Sequence, residues 1–187
     1  MSFITEAILR PKNIGAVAPS SKRLAKLMTE NADLKHAKVV VELGPGTGVF
    51  TELILQEIPD SAVFMAIEQN EHFVTIMRAQ YPTVDTIHGS AEHLKNYLKE
   101  RGAESCDKIL SGLPWASFDE RLQRLLLSKI YESLSPDGVF LTFAYYPINH
   151  LPRGRTFKRQ LRRYFKDIKK TRVVLNVPPA FVYICKR

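Results

Sequence analysis

The sequence predicts an α/β fold, a mostly parallel sheet with helices on both faces, and three observations carry that expectation. Short apolar runs alternate with amphipathic helical patterns. The first run leads into three closely spaced glycines, and the chain closes on two more strand-like runs joined by Pro178-Pro179. Buried strands alternating with helices pack as parallel strands bridged by crossover helices.

The elements follow in order. In "SFITEAILR", Phe3, Ile4, Ala7 and Ile8 fall on one helical face, and Pro11 ends the pattern. A second helical pattern, "SKRLAKLMTEN", follows the stretch 13–21. Strand-like runs occupy 38–43, 62–67, 83–88, 106–111 and 138–146, with helical patterns at about 47–57, 70–80, 91–101 and 118–134. In the last helix Leu122, Leu125, Leu126, Ile130 and Leu134 share a face. A basic helix near 156–166 has Phe157, Leu161, Tyr164, Phe165 and Ile168 along its apolar side. The runs 171–177 and 180–186 then read as a terminal hairpin. No repeat, low-complexity tract or linker interrupts the pattern, so residues 1–187 are expected to form one domain.

Composition narrows the class. A hydrophobic content of 45% and a charged content of 25% are those of an ordinary soluble globule. No apolar run reaches the roughly 18 residues of a membrane span, and Glu6, Arg10 and Pro11 break any signal-peptide pattern. Cys106 and Cys185 suggest neither a disulfide framework nor a metal site, and the histidines lack ligand spacing. A reducing cytoplasm and no bound metal are the expectations. The net charge is +8, yet residues 153–172 hold ten Lys or Arg against Asp167 alone. So concentrated a charge points to an anionic partner, nucleic acid or lipid head groups.

The glycine turn narrows it further. In "VVVELGPGTGVFTEL" the spacing is Gly44-x-Gly46-x-Gly48, with Glu42 two residues ahead. Bare backbone at the carboxyl end of a first strand lets amides approach a ligand. A dinucleotide fingerprint would be spaced G-x-G-x-x-G, which this is not. The motif resembles the E/D-x-G-x-G-x-G signature of class I S-adenosylmethionine-dependent methyltransferases. That resemblance implies S-adenosyl-L-methionine as cofactor and a seven-stranded Rossmann-like sandwich with a C-terminal antiparallel hairpin. It places Glu42, Gly44, Gly46 and Gly48 at the cofactor. Glu68, closing the second strand run, would accept from the ribose hydroxyls, with Gln69 beside it. Ser90 and Ala91, after the third strand, would edge the adenine. Many relatives carry an acid where this chain has Ser90.

The fourth strand ends in "ILSGLPWASF", and the resemblance sets Gly112, Leu113, Pro114 and Trp115 at the reaction centre. RNA adenine dimethyltransferases carry an Asn-Leu-Pro-Tyr-like tetrad there; Gly112 lacks the Asn carbonyl and would give a lipid head group and the cofactor methyl room to approach, while Trp115 could stack on a base or line a substrate site. "NIGAVAPSS", "SGLPW" and "NVPPAFVY" (176–183), with the glycine motif, resemble the bacterial phospholipid N-methyltransferases over nearly the whole chain. That family methylates phosphatidylethanolamine towards phosphatidylcholine. The implied partners are a phospholipid substrate and an anionic membrane surface on the cytoplasmic side, with nucleic acid the less favoured alternative. The RNA enzymes usually add a C-terminal helical domain, and this chain is expected to end at its hairpin.

A lipid acceptor gives other residues expected roles. Residues 1–31 would cap the cofactor site, and their apolar face would contact the membrane, with Arg10 and Lys12 near phosphates. Tyr145, Tyr146 and His150 are candidates to line the head-group site and take a proton. Arg153 and Arg155, flanking Gly154, are candidates to clasp the lipid phosphate. A cofactor-binding module without turnover, or a basic nucleic-acid adaptor, would share the fold.

Overall fold

The computed structural model describes residues 21–187. Its strands are β1 (Val39–Leu43), β2 (Val63–Glu68), β3 (Asp85–His88), β4 (Cys106–Ser111), β5 (Leu134–Tyr145), β6 (Asp167–Lys170) and β7 (Ala180–Lys186). They form one sheet in the order β3-β2-β1-β4-β5-β7-β6. Strands β1 to β5 pair in parallel, and β7 is antiparallel to both β5 and β6. The expected mostly parallel sheet with a C-terminal antiparallel hairpin is therefore present. The chain runs outward from β1 through β2 to β3, then returns to the other side of β1 as β4. That reversal opens a crevice at the carboxyl ends of β1 and β4.

Among the described residues, six helices cover the sheet: α1 (Lys22–Glu30), α2 (Val49–Glu57), α3 (Glu71–Gln80), α4 (Leu94–Glu100), α5 (Glu120–Ser133) and α6 (Pro152–Tyr164). Strand alternation sorts the core onto two faces. Val41, Leu43, Met65, Ile67 and Ile109 meet α4, α5 and α6 through Leu98, Leu126, Ile130, Phe157 and Leu161. Val40, Leu110, Leu141 and Val182 meet α1 and α2 through Leu24, Met28, Phe50 and Ile54. Side chains close the exposed helix ends: Asn70 accepts from the His72 amide at 3.0 Å, and Asp119 from the Leu122 amide at 2.8 Å. Pro152 opens α6, where no amide donor is needed.

Three local expectations are corrected. In α5 the buried face is Leu122, Leu126, Leu127 and Ile130; Leu125 is exposed, and Leu134 already begins β5. The basic helix starts at Pro152 and stops at Tyr164, so Phe165 and Ile168 lie beyond it. The hairpin strand paired with β7 is Asp167–Lys170, not 171–177, with Lys170 opposite Tyr183. Residues 171–179 form a wide connection in which only Val174 bridges to Ala180. Two adjacent prolines remove the amides a tight hairpin would need. An edge strand also needs pairing more than an apolar pattern, and β6 is largely charged and exposed. The expected apolar helical face at Phe3, Ile4, Ala7 and Ile8, with Arg10 and Lys12, lies outside the described residues.

Candidate active site

After Leu43 the backbone turns through Gly44, Gly46 and Gly48, whose φ angles are 70°, 58° and 81°. Side chains at such angles are strained. At Gly46 an added side-chain carbon would meet nothing within 4 Å. This is open approach to bare backbone, the cradle a ligand needs.

Glu68 ends β2 opposite this turn and is 5% exposed. Its Oε2 accepts from the Gly46 amide at 3.1 Å, and its Oε1 from the Gln69 and Asn70 amides at 2.9 Å each. Three of about four carboxylate acceptor sites are thus filled. A grip on both hydroxyls of a ribose requires release of the Gly46 amide. Gln69 keeps its side-chain Oε1 buried without a partner among the described residues. The Ser90 Oγ accepts from the Glu92 amide at 3.2 Å, starting the short turn 91–93 with Ala91 buried beneath it.

Glu42 is fully buried under the turn. The Thr51 hydroxyl on α2 donates to its Oε2 at 2.6 Å, while Oε1 has no partner among the described residues. Burial pushes its pKa up to about 8; the Thr51 bond opposes the rise and the nearby Glu68 charge adds to it. The group is therefore largely protonated at neutral pH, and a cation brought close would draw the proton off.

The loop after β4 passes directly over the glycine turn. The Gly112 amide donates to the Leu43 carbonyl at 2.8 Å. A side-chain carbon on Gly112 would lie 2.5 Å from the Gly44 carbonyl oxygen. The absent side chain thus serves the contact between two backbone loops, not space for a head group. Leu113 covers Gly44 from the same loop. Trp115 is 2% exposed and stacks on Phe157 of α6 with centroids 4.7 Å apart. Its indole N–H donates to the Ser111 Oγ at 3.2 Å. The ring is a core plug that ties the loop to α6 and presents no stacking surface to a substrate, correcting its expected role. The Gln123 Nε2 adds a second tie, donating to the Trp115 carbonyl at 2.8 Å and the Arg153 carbonyl at 3.3 Å.

Tyr145, Tyr146 and His150 do not form one cluster. Tyr145 packs with Phe143 on the α1–α2 face, and its buried hydroxyl has no partner among the described residues. Burial raises its pKa, so its phenolate is scarce at neutral pH. Tyr146 and His150 meet edge to face at 5.2 Å and line a cleft of about 380 Å³. Arg155, Lys158 and Lys170 supply its charge, with Phe181 in its wall. The cleft opens on the carboxyl edge of β5, the edge that also carries the glycine turn.

Arg153 points elsewhere. Its Nη1 donates to the Ser117 carbonyl at 3.1 Å, holding the loop after β4. Residues two apart on a helix do not face the same way, so Arg153 and Arg155 do not converge into a clasp. The sequence assigned no site role to Thr51, Ser111, Gln123, Phe157, Lys158 or Lys170. Phe157 left a signal on the apolar side of the basic helix and the two lysines inside the basic segment; the others act through contacts between distant elements.

These features suit S-adenosylmethionine: open backbone at Gly46, buried side-chain oxygens of Glu42 and Gln69 without partners among the described residues, and the Glu68 carboxylate opposite the turn. The methyltransferase domain family matches residues 40–138, over half of the chain. The chain is 32% identical over 176 residues to an ornithine lipid N-methyltransferase of Singulisphaera acidiphila, covering 92% of this chain and 88% of the relative. It is 29% identical to ribosomal RNA small subunit methyltransferase A of Chlorobium phaeobacteroides, across 62% of this chain and 42% of that protein. Among solved structures, an O-methyltransferase of Bacillus cereus in complex with SAH superposes with a TM-score of 0.70 at 13% identity, covering 100% of this chain and 92% of that one. The N-methyltransferase NodS of Bradyrhizobium japonicum follows at 0.63 and 12%, covering 88% and 92%. With the strand order, the three-glycine turn and these likenesses in agreement, the chain belongs to the class I S-adenosylmethionine-dependent methyltransferases.

Proposed function

We propose that this enzyme N-methylates a lipid amine, with phosphatidylethanolamine and its methylated derivatives as acceptors on the way to phosphatidylcholine. The reading rests on one observation above all: a cleft that combines Tyr146 and His150 with Arg155, Lys158 and Lys170. Phosphatidylethanolamine carries an amine and a phosphate a few bonds apart, and the cleft offers groups for both. Similarity to an ornithine lipid N-methyltransferase along nearly the whole of both chains supports lipid N-methylation.

The cofactor supplies an electrophilic methyl group on a sulfonium. The chain's own residues do the rest. Gly46 and Glu68 hold the cofactor's place at the turn, while Glu42 supports them from below. The acceptor amine must be uncharged when it attacks, so its proton has to leave. His150 takes it, directly or through water, with Tyr146 packed edge to face against its ring. Arg155, with the two lysines, holds the anionic group by charge-assisted bonds. Alignment of this kind supplies roughly 7–11 kcal/mol of barrier reduction. The work takes place at the cytoplasmic face of a membrane.

The competing acceptor is adenine in RNA. Gly112 offers no side-chain acceptor to an adenine amine, and the Trp115 ring is occupied by Phe157. Both favour the lipid. The test supplies cofactor labelled in the methyl group and offers, separately, vesicles containing phosphatidylethanolamine, vesicles containing ornithine lipid, and structured RNA. Label in chloroform-extracted phosphatidylethanolamine is expected. Label in ornithine lipid alone moves the acceptor within lipids, and label in RNA overturns the proposal.

A further inference from the structure

Residues 171–179 carry an arrangement that catalysis does not explain. Among the described residues, eight large apolar side chains are exposed, and five lie in two adjoining connections at one edge: Tyr146, Leu151, Val173, Leu175 and Val177. Leu175 and Val177 are the most exposed, at 76% and 83%. Burying such side chains is normally favourable, and a cluster of them marks a contact surface.

The segment that presents them is held, not loose. The Thr171 amide donates to the Val182 carbonyl at 3.0 Å, and Val174 exchanges bonds with Ala180 at 2.8 and 3.3 Å. The Asn176 side chain accepts from the Ser21 amide at 3.1 Å and donates to the Pro178 carbonyl at 2.9 Å. Residues 174 and 176 are thus anchored inward, while 173, 175 and 177 alternate outward with the period of extended chain. Bases flank this apolar row on its N-terminal side and across the cleft. Arg172 lies within it and is exposed, Lys169 and Lys170 precede it, and Val173 shares the cleft wall with Arg155 and Lys158. Desolvation, and after it the positive charges of Lys158 and Arg162, lower the pKa of Lys170.

We propose that residues 171–179 are a membrane-insertion loop. Val173, Leu175 and Val177 enter the acyl boundary of an anionic bilayer, and the flanking bases rest at head-group level. The occupant follows from the pairing of apolar tip with basic shoulder: a lipid surface is apolar beneath and anionic above. In that pose the cleft opens where the lipid's own head group lies, so a lipid can reach it without leaving the membrane. This placement rests on the lipid reading given above, but insertion itself requires no turnover.

The test uses the full chain and vesicles of phosphatidylglycerol and phosphatidylethanolamine. Leu175→Trp adds a reporter to a protein whose one tryptophan, Trp115, is buried. Its difference emission against wild type should shift to the blue on vesicle addition and be quenched by bromine-labelled acyl chains. Val173→Ser, Leu175→Ser and Val177→Ser together should weaken vesicle binding about tenfold or more, leaving binding of the cofactor's demethylated product unchanged. An unshifted, unquenched reporter on vesicle-bound protein overturns the proposal, as does unaltered binding of the triple variant. Shielding of the reporter with rising protein concentration, without vesicles, would assign the surface to a second copy instead. Insertion without methyl transfer to detergent-dispersed phosphatidylethanolamine would refute the acceptor and leave this surface standing. Transfer to that dispersed lipid without insertion would do the reverse.

Discussion

The carboxyl group of Glu42 has no route to water, and that governs how the site responds to pH. Its pKa stands at about 8 in the fold against 4.5 for an ordinary glutamate. Between those values the unfolded chain has lost the proton and the folded chain keeps it. Stability should therefore fall as pH rises through that window, by up to about 1.4 kcal/mol per pH unit from this group. Below it both states are protonated and the penalty is absent. Glu42→Gln retains an acceptor for the Thr51 hydroxyl and has nothing to titrate. Urea unfolding from pH 5.5 to 8 should show wild type losing stability relative to Glu42→Gln as pH rises. Gly112 works by close approach. Gly112→Asn puts a side chain against the Gly44 carbonyl, backbone that can yield only by shifting the glycine turn. The expected cost is about 1–3 kcal/mol of stability, together with weaker binding of the cofactor's demethylated product by calorimetry. Lower lipid turnover at unchanged cofactor affinity would instead place Gly112 beside the substrate.

Helix α6 divides its work between two sides. Its buried residues Phe157, Gln160 and Leu161 fix it against α5 and the sheet, and Phe157 locks the loop after β4 through Trp115. Arg153 steadies that same loop from outside, whereas Arg155 faces the cleft. The two variants should therefore separate kinetically. Arg155→Ala should raise the lipid concentration for half-maximal rate several-fold with little change in kcat, because it removes a charged donor for the anion. Arg153→Ala should leave that concentration nearly unchanged and reduce kcat modestly. The loss of one exposed hydrogen bond, about 0.5–1.5 kcal/mol, loosens the loop over the cofactor turn. Equal effects of both on lipid concentration would restore the paired clasp that their spacing suggested.

At the scale of the molecule, charge is distributed unevenly: the +8 chain carries its excess in residues 153–172, at one end of the sheet. Within that segment Arg159 is paired, with Glu120 at 3.4 Å. No helix among the described residues is long and apolar enough to cross a membrane. Bases near an anionic surface contribute about 1 kcal/mol each, and salt screens them over about 10 Å at 0.1 M. Vesicle sedimentation should show strong binding to anionic membranes, weak binding to neutral ones and loss with added salt. Equal binding to neutral and anionic vesicles would remove the electrostatic contribution.

Local patterns in the sequence were enough to identify the alternating elements, the glycine turn and Glu68 at the end of β2, because each is written in neighbouring residues, and the resemblance carried by the glycine motif implied the class of cofactor. Periodicity shows burial, and three glycines at alternate positions mark a turn built for close approach. What joins distant segments was decided only by the tertiary structure. The cleft collects residues from 146–150, 155–158, 170–173 and 181, which no local spacing relates. Trp115 reads as a stacking residue until Phe157 packs on it, and Gly112 reads as room for substrate until Gly44 lies across it. The strand pattern at 171–177 was real as alternation. Pro178-Pro179 and the pairing of β7 with Asp167–Lys170 left Val173, Leu175 and Val177 exposed among the described residues. A period says which residues share a side; only packing decides what that side meets.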